Sequence, residues 1–267
     1  ERAKLQEAHE HLEMAHERLR YDVDMAADVQ RAMLPTQQQS PLPEFLGISS
    51  RYEAAMATGG DYFDFKAIDD HTAAVVLADV SGHGLQAAFV TGLIKVFFEL
   101  NGHAEQGPAE FAKQLNNLLY RFTPSVTFAT MAYCTYDGAE RTLRYVNAGH
   151  SPLPILVPPN GEVRTLSEKS GLVLAVEETI EVEEEVFNVE EGSRLVFATD
   201  GVTEAFGPTG KEDRFGYTRL MDTVKEHADC SPDDLNQAIY DAVVAHRGEE
   251  PQTDDIAVLV LDFNPES

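Results

Sequence analysis

Cysteine is scarce in this sequence. Only Cys134 and Cys230 occur among its 267 residues, each in an apolar or helical context. Two such cysteines provide neither a disulfide framework nor a thiolate zinc site. The chain is therefore expected to fold without cross-links, which is compatible with the cytoplasm.

Basic residues are also few. Lys and Arg total 20 against 46 Asp and Glu, which gives a formal net charge of −26 at pH 7. A charge of this sign is repelled at long range by the phosphates of nucleic acids and of anionic membranes. The composition therefore argues against both as ligands and favours a protein partner or a metal ion.

Long hydrophobic runs are missing as well. No apolar run approaches the roughly 18 residues of a membrane-spanning helix, and no signal-peptide pattern opens the chain. The sequence does not begin with Met, so we expect an upstream portion of the protein before residue 1. Hydrophobic residues make up 43% of the composition, which is enough for one large core with or without an appendage.

The first 33 residues carry the most regular pattern in the chain. Apolar side chains recur at heptad spacing at Leu5, Leu12, Leu19, Ala26 and Met33, which predicts a helix. A coiled-coil seam needs a second apolar position in each heptad. Here that position is apolar at Val23 but polar at His9, His16 and Gln30, so the pattern is weak. Two alternatives remain open: a parallel coiled coil that joins two copies in a dimer, and an amphipathic helix that packs on its own domain.

A proline marks the boundary after this helix. The helix must end before Pro35, and the polar, proline-bearing residues 36–43 predict a linker or a wrapping segment. We therefore divide the chain into a helical, coiled-coil-like linker over residues 1–33 and a folded domain over residues 34–267.

Hydrophobic periodicity and turn residues predict the elements of the folded domain. Apolar segments at 61–68 and 72–80 flank a short polar link and predict a β-hairpin. Four short strands between residues 128 and 166 predict an antiparallel meander. The acidic run over 177–191 alternates with apolar residues, which predicts a strand with one solvated face. The other predictions are strands at 47–56, 194–199 and 256–263 and helices at 85–100 and 108–122. Two more helices are predicted after Gly201, and the second of them lies between its N-cap, Ser231, and its stop, Gly248.

Four aspartates share a position at the ends of predicted strands. Asp61, Asp79, Asp200 and Asp254 come from different parts of the chain, and each borders an apolar strand. Any one of them could be an ordinary turn residue. Carboxylate oxygens are nevertheless ligands that Mg²⁺ and Mn²⁺ prefer, so the four together predict a site for one or two hard divalent cations. Two such ions could activate water against a phosphate ester without a covalent nucleophile.

These acids lie in motifs that resemble those of a known family. In chain order the motifs are Gly-Gly-Asp61-Tyr-Phe-Asp, Ala-Asp79-Val-Ser-Gly-His-Gly, Asn147-Ala-Gly-His150-Ser-Pro, Ala-Thr-Asp200-Gly-Val-Thr-Glu-Ala and Asp254-Asp255-Ile-Ala-Val-Leu. They resemble the metal-dependent protein serine/threonine phosphatases, the PPM or type 2C-like family, and specifically its bacterial SpoIIE-like branch. The resemblance covers about residues 34–263. It implies an α+β fold in which two antiparallel sheets pack face to face with helices outside, a four-layer α-β-β-α sandwich.

The resemblance also implies a ligand set. Asp79 would bridge two Mn²⁺ or Mg²⁺ ions, with help from the carbonyl of Val80. Asp61, Asp200 and Asp254 would complete the set directly or through water. We expect the neighbouring Asp255 to orient the ligands without binding the metal itself, because relatives carry either Asn or Asp there.

The implied activity is hydrolysis of phosphoserine or phosphothreonine in a protein by in-line attack of metal-activated water. The substrate in this branch is typically a small anti-sigma-factor antagonist. Residues 1–33 would then be a signalling linker that joins an upstream sensor or receiver domain, as in two-component regulation, to the phosphatase domain over 34–267.

Several residues depart from the family pattern or stay ambiguous. Ala257 stands where relatives usually carry a hydroxyl residue, and no arginine is obviously placed to hold the substrate phosphate. His83 is a candidate general acid, although a role in a cap or turn is at least as well supported. For His150 we favour ordering of its loop over contact with substrate.

Two other classes of function stay open beside the enzyme. The first is a degenerate phosphatase domain that only binds a partner, which loss of one of the four aspartates would indicate; all four are present. The second is a dimerising signalling module that works through the N-terminal helix.

Overall fold

The computed structural model describes residues 2–35, 42–102 and 107–263. The helices in this part of the chain are α1 (Arg2–Met33), α2 (Leu85–Asn101), α3 (Gly107–Phe122), α4 (Asp200–Thr203), α5 (Gly216–Glu226) and α6 (Pro232–Arg247). The strands are β1 (Leu46–Glu53), β2 (Asp61–Ala67), β3 (Thr72–Val80), β4 (Ala129–Asp137), β5 (Thr142–Ala148), β6 (Ile155–Val157), β7 (Arg164–Thr165), β8 (Glu185–Asn188), β9 (Arg194–Ala198), β10 (Phe206–Gly207), β11 (Gly210–Arg214) and β12 (Ile256–Phe263).

Two five-stranded sheets form the centre of the domain. One has the strand order β1-β12-β9-β6-β7 and the other β2-β3-β4-β5-β8, while β10 and β11 form a separate hairpin. Apolar side chains from the inner faces of both sheets, such as Phe65, Leu77, Phe197 and Leu259, form one buried core between them. Strand side chains alternate in direction, and those on the outer faces, such as Val76 and Val258, are apolar as well.

Helices cover both outer faces. α2 and α3 pack on the sheet that contains β3 and β4, and α5 and α6 pack on the sheet that contains β9 and β12. The predicted four-layer α-β-β-α sandwich is therefore confirmed.

The predicted hairpin over residues 61–80 is confirmed as β2 and β3. The side chain of Asp69 closes its turn by accepting hydrogen bonds from the backbone N–H groups of His71 and Thr72, at 2.8 and 2.7 Å. The register places Asp61 directly opposite Asp79. Two of the candidate ligands therefore lie side by side on neighbouring strands.

The prediction of one antiparallel meander over residues 128–166 is wrong. β4 and β5 pair with each other, but β6 pairs with β9 in the opposite sheet. The segment between β5 and β6 contains Gly149, whose φ is 72°, and the prolines 152 and 154. These residues cannot continue a regular strand, so the chain leaves one sheet and enters the other.

The prediction of a strand over the whole acidic run 177–191 is also wrong. Only Glu185–Asn188 forms a strand, which pairs with β5. Before that strand, the backbone is held by side chains: Asn116 donates to the carbonyl groups of Glu177 and Glu178, at 3.0 and 3.1 Å. The expected alternation also fails at Val186, which is 61% exposed.

The N-terminal helix ends at Met33, before Pro35, as predicted. Its side chains up to Asp22, those described, are exposed, whereas Ala27 and Gln30 are buried against the domain next to α2. The predicted linker that follows lies largely outside the described residues. No helix in the described part of the chain combines the length and the apolar character that crossing a membrane requires.

Candidate metal centre

The four candidate aspartates meet at one end of the sandwich. Asp61 begins β2, Asp79 lies opposite it on β3, Asp200 begins α4 directly after β9, and Asp254 lies two residues before β12. One hydroxyl joins the two sheets at this end. Thr199 donates to a carboxylate oxygen of Asp61 at 2.5 Å and accepts from the backbone N–H of Ala257 at 2.9 Å.

The carboxylates are close enough to affect one another's charge. Burial, and then the charge of Asp79, raises the pKa of Asp61 well above its ordinary value. Burial, followed by the charges of Asp200 and Asp254, raises the pKa of Asp79 to about 7. Burial and the charge of Asp254 raise the pKa of Asp200 to about 6, and burial also raises the pKa of Asp254. Burial and mutual repulsion therefore disfavour the ionised carboxylates, and a bound cation would favour them.

Cationic side chains of the described residues do not pair with these carboxylates. No lysine or arginine among them forms an ion pair with any of the four carboxylates. Within the same residues, no three acidic, histidine or cysteine side chains are already spaced as ligands of one ion. The carboxylates therefore converge without forming a closed cage.

Asp255 holds the loop in front of β2. It is 6% exposed, and its two carboxylate oxygens accept from the backbone N–H groups of Ala55 at 2.8 Å, Gly60 at 2.6 Å and Asp61 at 3.4 Å. Its oxygens are thus engaged with the backbone that positions Asp61.

Two glycines allow this loop to approach so closely. A Cβ atom on Gly59 would lie 2.1 Å from a carboxylate oxygen of Asp255, and one on Gly60 would lie 2.4 Å from the carbonyl oxygen of Val80. The backbone N–H of Val80 in turn donates to the carbonyl of Gly60 at 3.1 Å. A side chain at Gly59 would displace the carboxylate of Asp255, and one at Gly60 would displace the carbonyl of Val80, a candidate ligand.

The two histidines of the motifs lie in different environments. His150 is 2% exposed and contacts both sheets, through the hydroxyl of Thr130 at 2.9 Å and the carbonyl of Ala198 at 3.1 Å. It therefore orders the end of the sandwich. His83 is exposed, and the N-cap residue of α2 is Gly84, with no side-chain hydrogen bond to the helix end, so His83 does not cap that helix.

Three residues near the site did not emerge as functional from the sequence. Ala257 has no hydroxyl, and Thr199 supplies one at the same end of the sandwich. Glu204 lies one helical turn after Asp200, and its charge raises the pKa of Asp79 and Asp200. Gln30 of α1 donates to the carbonyl of Gly59 at 2.7 Å and accepts from its N–H at 3.0 Å. The signal for Gln30 was its break in the heptad pattern, which indicated only a weak seam.

Comparisons with known proteins agree with this architecture. The family model described as Stage II sporulation protein E (SpoIIE) matches residues 69–264. Phosphoserine phosphatase RsbU of Bacillus subtilis (strain 168) is 28% identical over 255 residues, which cover 95% of this chain and 73% of RsbU. The SiaA-PP2C domain of Pseudomonas aeruginosa superposes with a TM-score of 0.77 at 24% identity, covering 93% of this chain and 98% of that domain.

A more distant solved structure shares the fold. The catalytic domain of the serine threonine protein phosphatase PstP, in complex with two manganese ions, has a TM-score of 0.58 at 13% identity and covers 81% of this chain and 97% of that one. The family match spans well over half of the 267 residues. The resemblance inferred from the motifs is thereby confirmed, and the chain belongs to the SpoIIE family and is a phosphatase of the PP2C type.

Proposed function

We propose that this chain removes phosphate from phosphoserine or phosphothreonine in a signalling protein of the bacterial cytoplasm, with Mn²⁺ or Mg²⁺ as cofactor. The observation that carries the proposal is the convergence of Asp61, Asp79, Asp200 and Asp254 at one end of the sandwich. The name of RsbU as a phosphoserine phosphatase supports this activity. The PstP structure with two manganese ions supports the cofactor.

The residues present fit such ions. Four carboxylates that raise one another's pKa form a set of hard oxygen donors whose repulsion a divalent cation would relieve. We assign Asp61, Asp79, Asp200 and Asp254, with the carbonyl of Val80, as the groups that would hold two ions. The ions would supply a more acidic water and neutralisation of the phosphate charge.

The surrounding residues position these ligands. Thr199 fixes one oxygen of Asp61, and Asp255 holds the backbone from Ala55 to Asp61 by three N–H groups. A carboxylate with its orientation already fixed binds an ion with a smaller loss of conformational freedom. We infer that Asp255 acts in this way and is not itself a ligand.

Direct assay tests the activity. Purified protein should hydrolyse p-nitrophenyl phosphate and a phosphoserine peptide when Mn²⁺ is added, and chelation should stop the reaction. Asp79→Asn should lower turnover by at least about 100-fold, because removal of a ligand group impairs both binding and chemistry. Full activity of Asp79→Asn would contradict the assigned site.

We further propose that residues 1–33 are a signalling linker and that residues 34–267 form the phosphatase domain. In this proposal an upstream sensor or receiver domain acts through α1, and an anti-sigma-factor antagonist is the substrate. Gln30 gives α1 a direct connection to the site, since it pairs with both backbone groups of Gly59 and donates to Thr91 of α2 at 3.1 Å. These contacts support the proposal that the linker biases the loop that precedes Asp61.

A dimer through α1 is the second role that a specific observation favours. Leu5, Leu12 and Leu19 are 73%, 67% and 59% exposed, and the other described side chains of α1 up to Asp22 are exposed as well. We propose that these side chains meet their counterparts in a second copy. A partner-binding domain without catalysis is less well supported, because the four aspartates are all present and converge.

A further inference from the structure

A cleft opens beside the candidate metal centre. Its volume is about 340 Å³, and its walls come from residues 151–153, the end of α4, the end of β11 and Tyr217 of α5. Ser151 directly follows His150, and Glu204 ends the turn that begins at Asp200. Glu204 is close enough to Asp79, Asp200 and Asp254 for its charge to raise the pKa of all three. The cleft is therefore a neighbour of the site, with Glu204 between them.

Arg214 is the cationic side chain that lines this cleft. Its guanidinium donates to Glu204 at 2.6 Å, and the side chains of the two residues are 52% and 43% exposed. Arg219 donates to the backbone carbonyl groups of Arg214 and Phe215, at 2.6 and 2.9 Å, which holds the chain where β11 meets α5. The bond to Glu204 leaves other N–H groups of the guanidinium available to a ligand.

The chemistry of the cleft indicates what it binds. We propose that it receives the substrate segment beside the phosphoserine and that Arg214 pairs with a carboxylate side chain of that segment. This inference rests on the proposed phosphatase function. The four aspartates define the place of the reacting phosphate, whereas Arg214 forms its ion pair with Glu204 and with none of those four. We therefore assign Arg214 to an anionic group of the segment beside the phosphoserine.

The walls of the cleft fit a peptide. Pro152 and Leu153 contribute apolar surface to the lining, and Tyr217 contributes an aromatic ring. A guanidinium binds a carboxylate through parallel N–H groups, which gives directional selectivity that a lysine lacks. In a chain with a net charge of −26, acidic substrate residues are disfavoured except where a local cation receives them. Arg214 therefore makes the cleft selective for substrates in which an acidic residue stands at a particular position beside the phosphoserine.

Matched phosphopeptides test this inference. Peptides that carry one phosphoserine are synthesised in pairs that differ only by Glu or Gln, at each of the four positions on either side, and kcat/KM is measured with Mn²⁺. We expect the wild-type protein to prefer Glu at one or two adjacent positions by about fivefold to tenfold, mainly through a lower KM. Arg214→Ala should abolish this preference, and Arg214→Lys should retain part of it.

Arg141→Ala is the matched control, because Arg141 forms an ion pair of the same length, 2.6 Å, and is also 52% exposed, but lies beyond the far end of β4. This variant should keep the preference. The inference is overturned if the wild type shows no preference for Glu, or if the preference survives Arg214→Ala. It is also overturned if Arg214→Ala lowers kcat equally for both peptides of each pair, since Arg214 would then act through Glu204. Failure of the proposed function would look different: the wild type would hydrolyse no peptide with Mn²⁺, and both proposals would fall.

Discussion

Buried His150 joins the two sheets at the end of the molecule that carries the candidate metal centre. Because burial lowers the pKa of His150 to about 4, the folded protein holds this side chain neutral, whereas the unfolded chain protonates it near pH 6.5. The unfolded state therefore binds more protons between these two pH values, and stability falls as the pH falls. We expect His150 to contribute a loss of about 2 kcal/mol between pH 7.5 and pH 5.

Comparison of variants isolates this contribution from that of the carboxylates. Urea unfolding of the wild type and of His150→Gln at both pH values should show a difference in stability that shrinks by about 2 kcal/mol at pH 5. His71→Gln, at an exposed position in the β2–β3 turn, should change little at either pH. A difference that does not depend on pH would mean that His150 is not held neutral.

The carboxylate of Asp79 should lower the stability of the metal-free protein and raise the stability of the metal-bound protein. Without metal it is a largely buried carboxylate beside Asp200 and Asp254, so Asp79→Asn should raise stability at pH 7.5 by about 1 kcal/mol through loss of repulsion. With saturating Mn²⁺, the wild type should gain stability by ligand binding and the variant should gain little. Thermal unfolding with and without Mn²⁺ checks both signs. A variant less stable than the wild type in the absence of metal would refute the proposed repulsion.

At the scale of elements, α1 reaches the site through one side chain. Gln30→Leu would leave the buried N–H and carbonyl groups of Gly59 without their partners, at a cost of roughly 1–3 kcal/mol for each. The loop that precedes Asp61 would then be less ordered. We expect the Mn²⁺ concentration for half-maximal activity to rise by about tenfold, and calorimetric titration of Mn²⁺ to show the same shift.

Gln6→Leu provides the control on the same helix, because Gln6 is exposed and hydrogen-bonds only to Glu10 among the described residues. It should leave the response to Mn²⁺ unchanged. If Gln30→Leu lowers stability but not the affinity for Mn²⁺, Gln30 serves packing of α1 and does not position the site.

Elements with local signals could be predicted from the sequence. The β2–β3 hairpin is formed by two consecutive segments and a turn that Asp69 closes, so its register, with Asp61 opposite Asp79, follows from neighbouring residues. The sheet that β6 joins could not be predicted, because Ile155–Val157 is apolar in either environment and its partner β9 lies about forty residues later.

In the candidate site, too, some residues could be predicted from the sequence and others could not. The four aspartates stand in motifs with recognisable order, whereas the contributions of Thr199 and Gln30 depend on partners that only the folded chain brings near. Nothing in the local pattern around Gln30 distinguishes a side chain that contacts Gly59 from one that merely weakens a heptad seam.

At the scale of the whole molecule, α1 carries an apolar stripe that its own domain does not cover. Burial of a leucine contributes about 1.5–3 kcal/mol, so Leu5, Leu12 and Leu19 could together stabilise a dimer even with polar interruptions in the seam. The rest of α1 is anchored beside α2 through Ala27 and Gln30. Pairing of two helices would therefore act on both catalytic domains at once.

Sedimentation velocity over a range of concentrations tests this pairing. We expect the full chain to dimerise reversibly and a chain that lacks residues 1–22 to remain monomeric, with its fold intact because the described side chains among those residues are exposed. Leu12→Asp should weaken the dimer by at least about tenfold, since a charge in the seam is costly to bury. Val126→Asp, at a position 80% exposed and outside α1, should not. An unchanged oligomeric state after truncation would show that α1 is not the dimer contact.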